Sequence, residues 1–558
     1  MNNTIDTIVI FVFSAFVLGI GLLFSRTGKN LKTFFAGGEA VPWLIGALSL
    51  FMSFFSAGTF VAWGAIAYKQ GWVAITIQWT MCFGALVTAL FIAPRWKAAG
   101  NLTAAEFIRE RLGLNVQKVY IAIFMIVSVF IKGTVLYPVA KLVSASLGYP
   151  LTTCTIVLGL FMIAYTAVGG LWAVMVTDIL QFVILCAAVF ILLPLTYHQV
   201  GGWQHFVASV PDDFFNLLNG EYTFGFIIAF ALYHICYIGG NWTFVQRYTS
   251  VDSPGSSRKV AFLFAALYLI CPVIWMLPPM FYHAINPTLT GLDTENAYLM
   301  VCKLILPPGL LGLMLTGMYF STSASANTTL NVVAAVFTND IYKGFVNPGA
   351  SDKILMRVAR ASSWGFGIGM IIIALIIPAI GGLVEAVLSI AAITGGPLLA
   401  PPIWALFSKR LTGLATLRIT IVTLLINLFF KIISPWLLDF QLNRALETIV
   451  GVVIPLLLLL FNEIYAAYFK KTAPEYVEYI RLRNSKKEQL VAVEDKKFIK
   501  KQNRFGLKVI AGSLLFVSAT LFVLGFYTTS GKSITSIIAV LVLIGAIIPW
   551  SAAKKIKT

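Results

Sequence analysis

Long apolar runs recur along the whole chain, separated by short polar connections. A helix needs roughly 20 mostly apolar residues to cross a bilayer. On that measure the pattern predicts about fifteen spans, near 5–24, 43–68, 73–94, 116–143, 151–170, 173–197, 223–244, 260–282, 309–337, 362–381, 383–407, 415–437, 446–468, 507–527 and 533–551. The first reads as a retained span, because no basic stretch precedes it and no good cleavage site follows. Two spans are interrupted. Leu48 to Tyr68 carries Ser53, Ser56, Ala57, Gly58 and Thr59 at mid-depth, and Ala229 to Phe244 contains Gly239-Gly240. Backbone inside a membrane stays unpaired only where protein buries it or it lines a wet cavity. Interrupted spans at matching places in two halves of a chain therefore point to a transporter binding site. Small residues also let helices pack closely, which is the alternative use of such a stretch.

The spans divide into two sets of five, 43–197 and 223–407, and each opens with an interrupted span. The first set enters from one side of the membrane and the second from the other, as in the inverted repeats of many secondary transporters. The expected organisation is an N-terminal accessory segment (1–42), a first core repeat (43–197), an inverted second repeat (223–407) and about four accessory helices (415–558) with a basic linker at 470–508. The fold class is thus an all-α polytopic membrane protein.

Composition sharpens this. The 558 residues are 59% hydrophobic and 11% charged, against about 25% charged in soluble domains. The net charge of +18 suggests nucleic acid only until the basic residues are placed. They follow the odd-numbered spans: Arg26 and Lys29, Arg95 and Lys97, Arg247 and Arg258, Lys343 and Lys353, Lys409 and Arg410, the linker, then Lys554 and Lys555. Cytoplasmic loops are enriched in Lys and Arg, so the N-terminus is expected outside, the C-terminus in the cytoplasm, and the protein in the cell membrane. The linker reads as a solvated segment near anionic headgroups, and Leu102 to Leu114 as a short amphipathic helix at the inner surface. The six cysteines are scattered without metal-ligand spacing. No HExxH, GxSxG or P-loop suggests an enzyme, and no obligate protein partner or cofactor is evident beyond a coupling ion.

Ionisable residues inside spans are rare and functional by default. Asp178 is a hard oxygen ligand suited to Na⁺ or to a proton relay, or else a carboxylate bonded within the bundle. Lys132 lies mid-span, either at a site or in a buried pair with a carboxylate. The densest hydroxyl run is Ser321, Thr322, Ser323, Ser325, Thr328 and Thr329, and positions 321, 325 and 328 share a helical face. Opposite the opened carbonyls near residue 55, that face would hold a small dehydrated cation. Hydroxyls also serve as interhelical glue.

These motifs resemble the sodium:solute symporter family, which includes the sodium/glucose cotransporters. GGLWAVMVTDILQ (169–181) is similar to the family's GGLxAVxxTDxxQ, FTNDIYK (337–343) to the end of its eighth core helix, and FIK (130–132) to the FTK of the sugar branch. NWTFVQR (241–247) and GGPLLAPP (395–402) also fall at family places, so the resemblance covers about 30–410. It implies a LeuT-type 5+5 core and Na⁺-driven symport of a small polar solute by alternating access. It implies a principal sodium site at the backbones of Met52, Phe55 and Ser321 and the hydroxyl of Ser325. Ala324 stands where the family usually has a second hydroxyl, with Ser323 or Thr328 as possible replacements. Asp178 falls on an acid used near a second sodium or in coupling. At the positions that hold sugar in the cotransporters the chain has Gln78, His234, Tyr268 and Ser389. The stacking or gating tyrosine is matched by Tyr237, and Ser53 and Thr59 fall beside the expected pocket. If Lys132 reaches that pocket, a carboxylate-bearing solute suits it. A proton-coupled or uncoupled carrier, with Asp178 or His234 titrating, is the alternative on the same fold, and a membrane sensor is the alternative from another class.

Overall fold

A computed structural model describes residues 3–24, 31–220, 222–377, 393–487, 493–528 and 531–556. Among these, ten helices are long and apolar enough to cross a membrane, and two further helix pairs qualify if each bent pair is one span. In chain order the elements used below are α1 (Asn3–Leu23), α2 (Trp43–Phe54), α3 (Thr59–Gln70), α4 (Val73–Ala99), α5 (Ala104–Leu112), α6 (Leu114–Leu147) and α7 (Leu151–Gln199). They continue as α8 (Phe224–Gly240), α9 (Trp242–Thr249), α10 (Pro254–Ile285), α11 (Leu310–Val336), α12 (Asp352–Ile376) and α13 (Val493–Tyr527). The two bent pairs are the interrupted spans expected from the sequence. The α2–α3 pair bends by 63° and the α8–α9 pair by 53°.

The spans expected at 151–170 and 173–197 are two helical segments, treated together as α7, that part at Gly170, whose φ of 62° lies in the left-handed region that favours glycine. The span at 309–337 is α11, which is absent from the apolar set. Its hydroxyls lower its hydropathy, yet every residue from Leu310 to Val336 is buried. A helix this polar crosses a membrane only when protein surrounds it on all sides. The span at 383–407 falls partly outside the described residues.

The packing makes α11 the axis of the molecule. It contacts α7, α6, α2, α12 and α1. The Asp6 carboxylate of α1 accepts hydrogen bonds of 2.7 Å from the backbone N–H groups of Gly309 and Gly312. It thereby satisfies donors that the first turn of α11 leaves open. Gly312 is required there, since a Cβ would lie 2.7 Å from the Asp6 Cα. Phe16 of α1 also stacks on Phe516 of α13 at 3.9 Å.

The amphipathic segment is helical, as α5, with Thr103 Oγ1 accepting from the Glu106 N–H and the Glu106 carboxylate accepting from the Leu102 N–H. Its apolar face packs on neighbouring helices while Arg109 stays exposed. Arg111 is fully buried and donates to the carbonyls of Ser408 (2.6 Å) and Leu411 (3.2 Å). Arg247 is not a loop cation. The second broken span continues past its bend to Thr249, which draws Arg247 into the core with no solvent exposure.

Candidate functional site

The break between α2 and α3 follows from its residues. Phe55 turns extended (φ −75°, ψ 146°), and its N–H reaches only the Met52 carbonyl, at 3.2 Å. Two hydrogen bonds pin the opened segment to α11. Before the break, the Ser53 and Thr328 hydroxyls lie 3.0 Å apart. After it, the Ala57 N–H donates to Thr322 Oγ1 at 2.8 Å. Ser325 lies between those anchor points, about one turn from each. The second break comes one residue later than the glycines suggest, at Asn241, whose side chain caps Thr243 N–H at 3.0 Å. Gly240 serves close packing instead, since a Cβ there would meet the Leu399 carbonyl at 2.8 Å.

A cavity of about 160 Å³ opens beside the first break. Ser56, Gly58 and Thr59 line it from the break, Lys132 from α6, His234 and Tyr237 from α8, and Ser325 from α11. Phe54, Trp63 and Phe230 supply apolar wall. Lys132 donates from Nζ to Ser325 Oγ at 2.7 Å. No carboxylate among the described residues forms an ion pair with Lys132. His234 Nδ1 is 2.8 Å from Thr80 Oγ1, whose own proton goes to the Ile77 carbonyl at 2.5 Å. Thr80 must then accept, so the hydrogen-bond network assigns the proton to Nδ1 and leaves Nε2 as an acceptor. A second cavity of about 120 Å³ shares Ile131, Tyr233 and Tyr237 with the first and extends past the α8–α9 break along Asn241, Trp242 and Gly395. Tyr237 thus stands between two cavities, edge-on to Phe54 (5.6 Å) and stacked with Tyr233 (5.4 Å).

The expected sodium residues fall into two places. Ser325 faces the cavity. Thr328 and Asp178 belong to a sealed polar cluster on the neighbouring face of α11. There Arg247 donates to Thr328 Oγ1 (2.8 Å) and Ser49 Oγ (3.1 Å) and lies 3.6 Å from the Asp178 carboxylate. Ser49 donates to the same carboxylate at 2.5 Å, and all four residues are buried. Met52 and Ser321 are buried, and the Ser321 hydroxyl donates to the Met318 carbonyl.

The expected substrate residues divide as well. Thr59, Lys132, His234 and Tyr237 line the cavity. Ser53 is bonded to the Ser49 carbonyl and to Thr328. Gln78 is buried, with its amide on the Ala74 carbonyl. Tyr268 packs 5.5 Å from Phe54 and 5.2 Å from Phe51, inside an aromatic cluster behind the cavity wall. Ser389 lies outside the described residues. The sequence reading missed Ser49 and the pairing role of Arg247, and it missed Tyr233. Two of these carry a visible signal at helical spacing: Ser49 lies one turn before Ser53, and Tyr233 one turn before Tyr237.

Residues 34–422 match the model of the sodium:solute symporter family. A sodium/glucose cotransporter of Vibrio parahaemolyticus is 26% identical over 80% of this chain and 89% of its own length. The sodium/sialic acid symporter SiaT of Proteus mirabilis is 24% identical over 73% of this chain and 85% of its own. Among solved structures, a substrate-bound, outward-open Na⁺-coupled sialic acid symporter superposes with a TM-score of 0.74. It covers 84% of this chain and 98% of its own at 21% identity, which shows a shared fold, the LeuT-type fold.

Proposed function

Because the chain belongs to the sodium:solute symporter family, we propose that it is a Na⁺-coupled secondary active symporter that imports a small polar organic solute, a sugar, sugar acid or related molecule, by alternating access. The single observation that carries this reading is Ser325. Its hydroxyl sits between the two points where α11 holds the broken helix, and it also faces the cavity. One side chain therefore touches both the place for the ion and the place for the solute.

In this reading Na⁺ is held by the backbones of Met52, Phe55 and Ser321 and by Ser325. Backbone carbonyls and hydroxyls are hard, neutral oxygen donors of the kind small cations take. Asp178 and Thr328 serve the ion step through the Arg247 cluster. The solute sits among Thr59, Lys132, His234 and Tyr237. His234 Nε2 accepts from a hydroxyl or amide, Tyr237 stacks or gates, and Lys132 favours a carboxylate. Rocking of one bundle against the other would join the first cavity to the second past Tyr237. The N-terminus is outside and the C-terminus cytoplasmic, in keeping with the basic connections.

The test is uptake into proteoliposomes of a labelled panel of hexoses, amino sugars, sialic and uronic acids, inositol and proline. Accumulation of one solute under an inward Na⁺ gradient is expected. A second reading, a proton-coupled or uncoupled carrier, is favoured by Ala324 and by the ammonium on Ser325. Uphill uptake under a pH gradient and indifference to sodium would establish it instead.

A further inference from the structure

Lys132 is the one formal charge on the wall of the central cavity among the described residues, and its partner is a neutral hydroxyl. The buried carboxylate on the other face of α11, Asp178, is already engaged by Arg247 and Ser49. The ammonium therefore sits on the same oxygen that the sodium reading requires, with no anion among the described residues to neutralise it. Two cations sharing one hydroxyl in a poorly solvated site repel each other strongly. An ion entering at Ser325 must displace the ammonium, and the four-carbon stem of lysine gives it room to swing within the cavity.

We propose that Lys132 is a tethered cation that competes with Na⁺ for Ser325, and that an anionic group of the solute draws it away, so that ion and solute each make room for the other. This rests on the sodium-symport reading and deepens it. It supplies the differential interaction that coupling requires, since two ligands cooperate only if each favours the same arrangement. It also assigns the solute a negative charge. A neutral sugar has nothing to hold the displaced ammonium, whereas a carboxylate pairs with it in the cavity.

The test is equilibrium binding of radioactive ²²Na⁺ to purified full-length protein in detergent, without and with N-acetylneuraminate or glucuronate as carboxylate probes. Without probe, Lys132→Met should bind sodium about tenfold tighter than the native chain, and Lys132→Arg should not. In the native chain the better probe should tighten sodium binding, and in Lys132→Met that gain should vanish. An unchanged or weaker sodium midpoint in Lys132→Met overturns the proposal. As a second check that needs no variant, a native structure determined in saturating sodium should show Nζ withdrawn from Ser325 Oγ; an ammonium still bonded there beside a bound ion overturns it. If neither the native chain nor Lys132→Met binds sodium, both this inference and the sodium reading fall. If native sodium binding and sodium-driven uptake stand but the variant's midpoint does not move, only the inference falls.

Discussion

Two cations flank the hydroxyl-rich helix α11, and their surroundings differ. Arg247 is sealed, bonded to Thr328, Ser49 and Gln246 and paired with Asp178. Lys132 faces a cavity and holds a single hydroxyl. A buried charge with its counter-charge and its hydrogen bonds in place is a fixture that sets how helices pack. A buried charge beside open space, with only a neutral partner, is available to a ligand. The burial of a charge alone does not distinguish these roles, whereas its partners and the space around it do.

The largest expected effect lies on the sealed side. Arg247→Met leaves Asp178 buried and uncompensated, which in such pairs costs about 3–5 kcal/mol. Most folded protein should be lost, as read by thermal unfolding on a fluorescence-detected sizing column. Removing both partners, in Arg247→Met with Asp178→Asn, should restore much of the melting temperature. A double variant as unstable as the single one would break the comparison. Asp178→Asn alone should impair sodium-driven uptake more than membrane insertion, and normal uptake would remove Asp178 from the mechanism.

Lys132→Met should behave in the opposite way. It removes a poorly compensated charge, so the melting temperature should hold or rise while uptake falls at least about tenfold. A collapse in stability with Lys132→Met would place Lys132 with Arg247 as a fixture. A smaller effect is expected at His234. His234→Phe keeps the ring but removes the Nε2 acceptor, worth about 1 kcal/mol, and should raise the solute KM several-fold at an unchanged sodium midpoint. An unchanged KM would make His234 a wall residue only. The smallest effect should come from Ala324→Ser, which returns a hydroxyl beside Ser325 and should lower the sodium midpoint about threefold. No shift would mean that the ion sits elsewhere.

The first helix break was legible because small and hydroxyl residues clustered at mid-span weaken a helix where lipid offers its backbone no other partner, whereas the second lies at Asn241, one residue past the glycines that marked it. The hydroxyl face of α11 was legible from the spacing of 321, 325 and 328, whereas its burial on every side was not. The partnership of Asp178 was not legible. Arg247 looks like a loop cation when spans are drawn as straight apolar runs, and only the bend at Asn241 carries it into the core. Tyr268 and Gln78 were expected at the pocket from the family resemblance, yet they pack behind Phe54 and against α4's own backbone. A motif fixes where a residue sits along a helix, but the bulk of a neighbouring side chain decides whether it meets the cavity.

The most direct test of sodium symport through Ser325 is solute accumulation in proteoliposomes under an inward Na⁺ gradient, comparing the native chain with Ser325→Ala. The native chain should concentrate its solute above the outside level, and Ser325→Ala should reach equilibrium and no more. Equal uphill accumulation by both would contradict the placement of the ion. Equilibration by both, whatever the sodium gradient, would contradict sodium coupling itself.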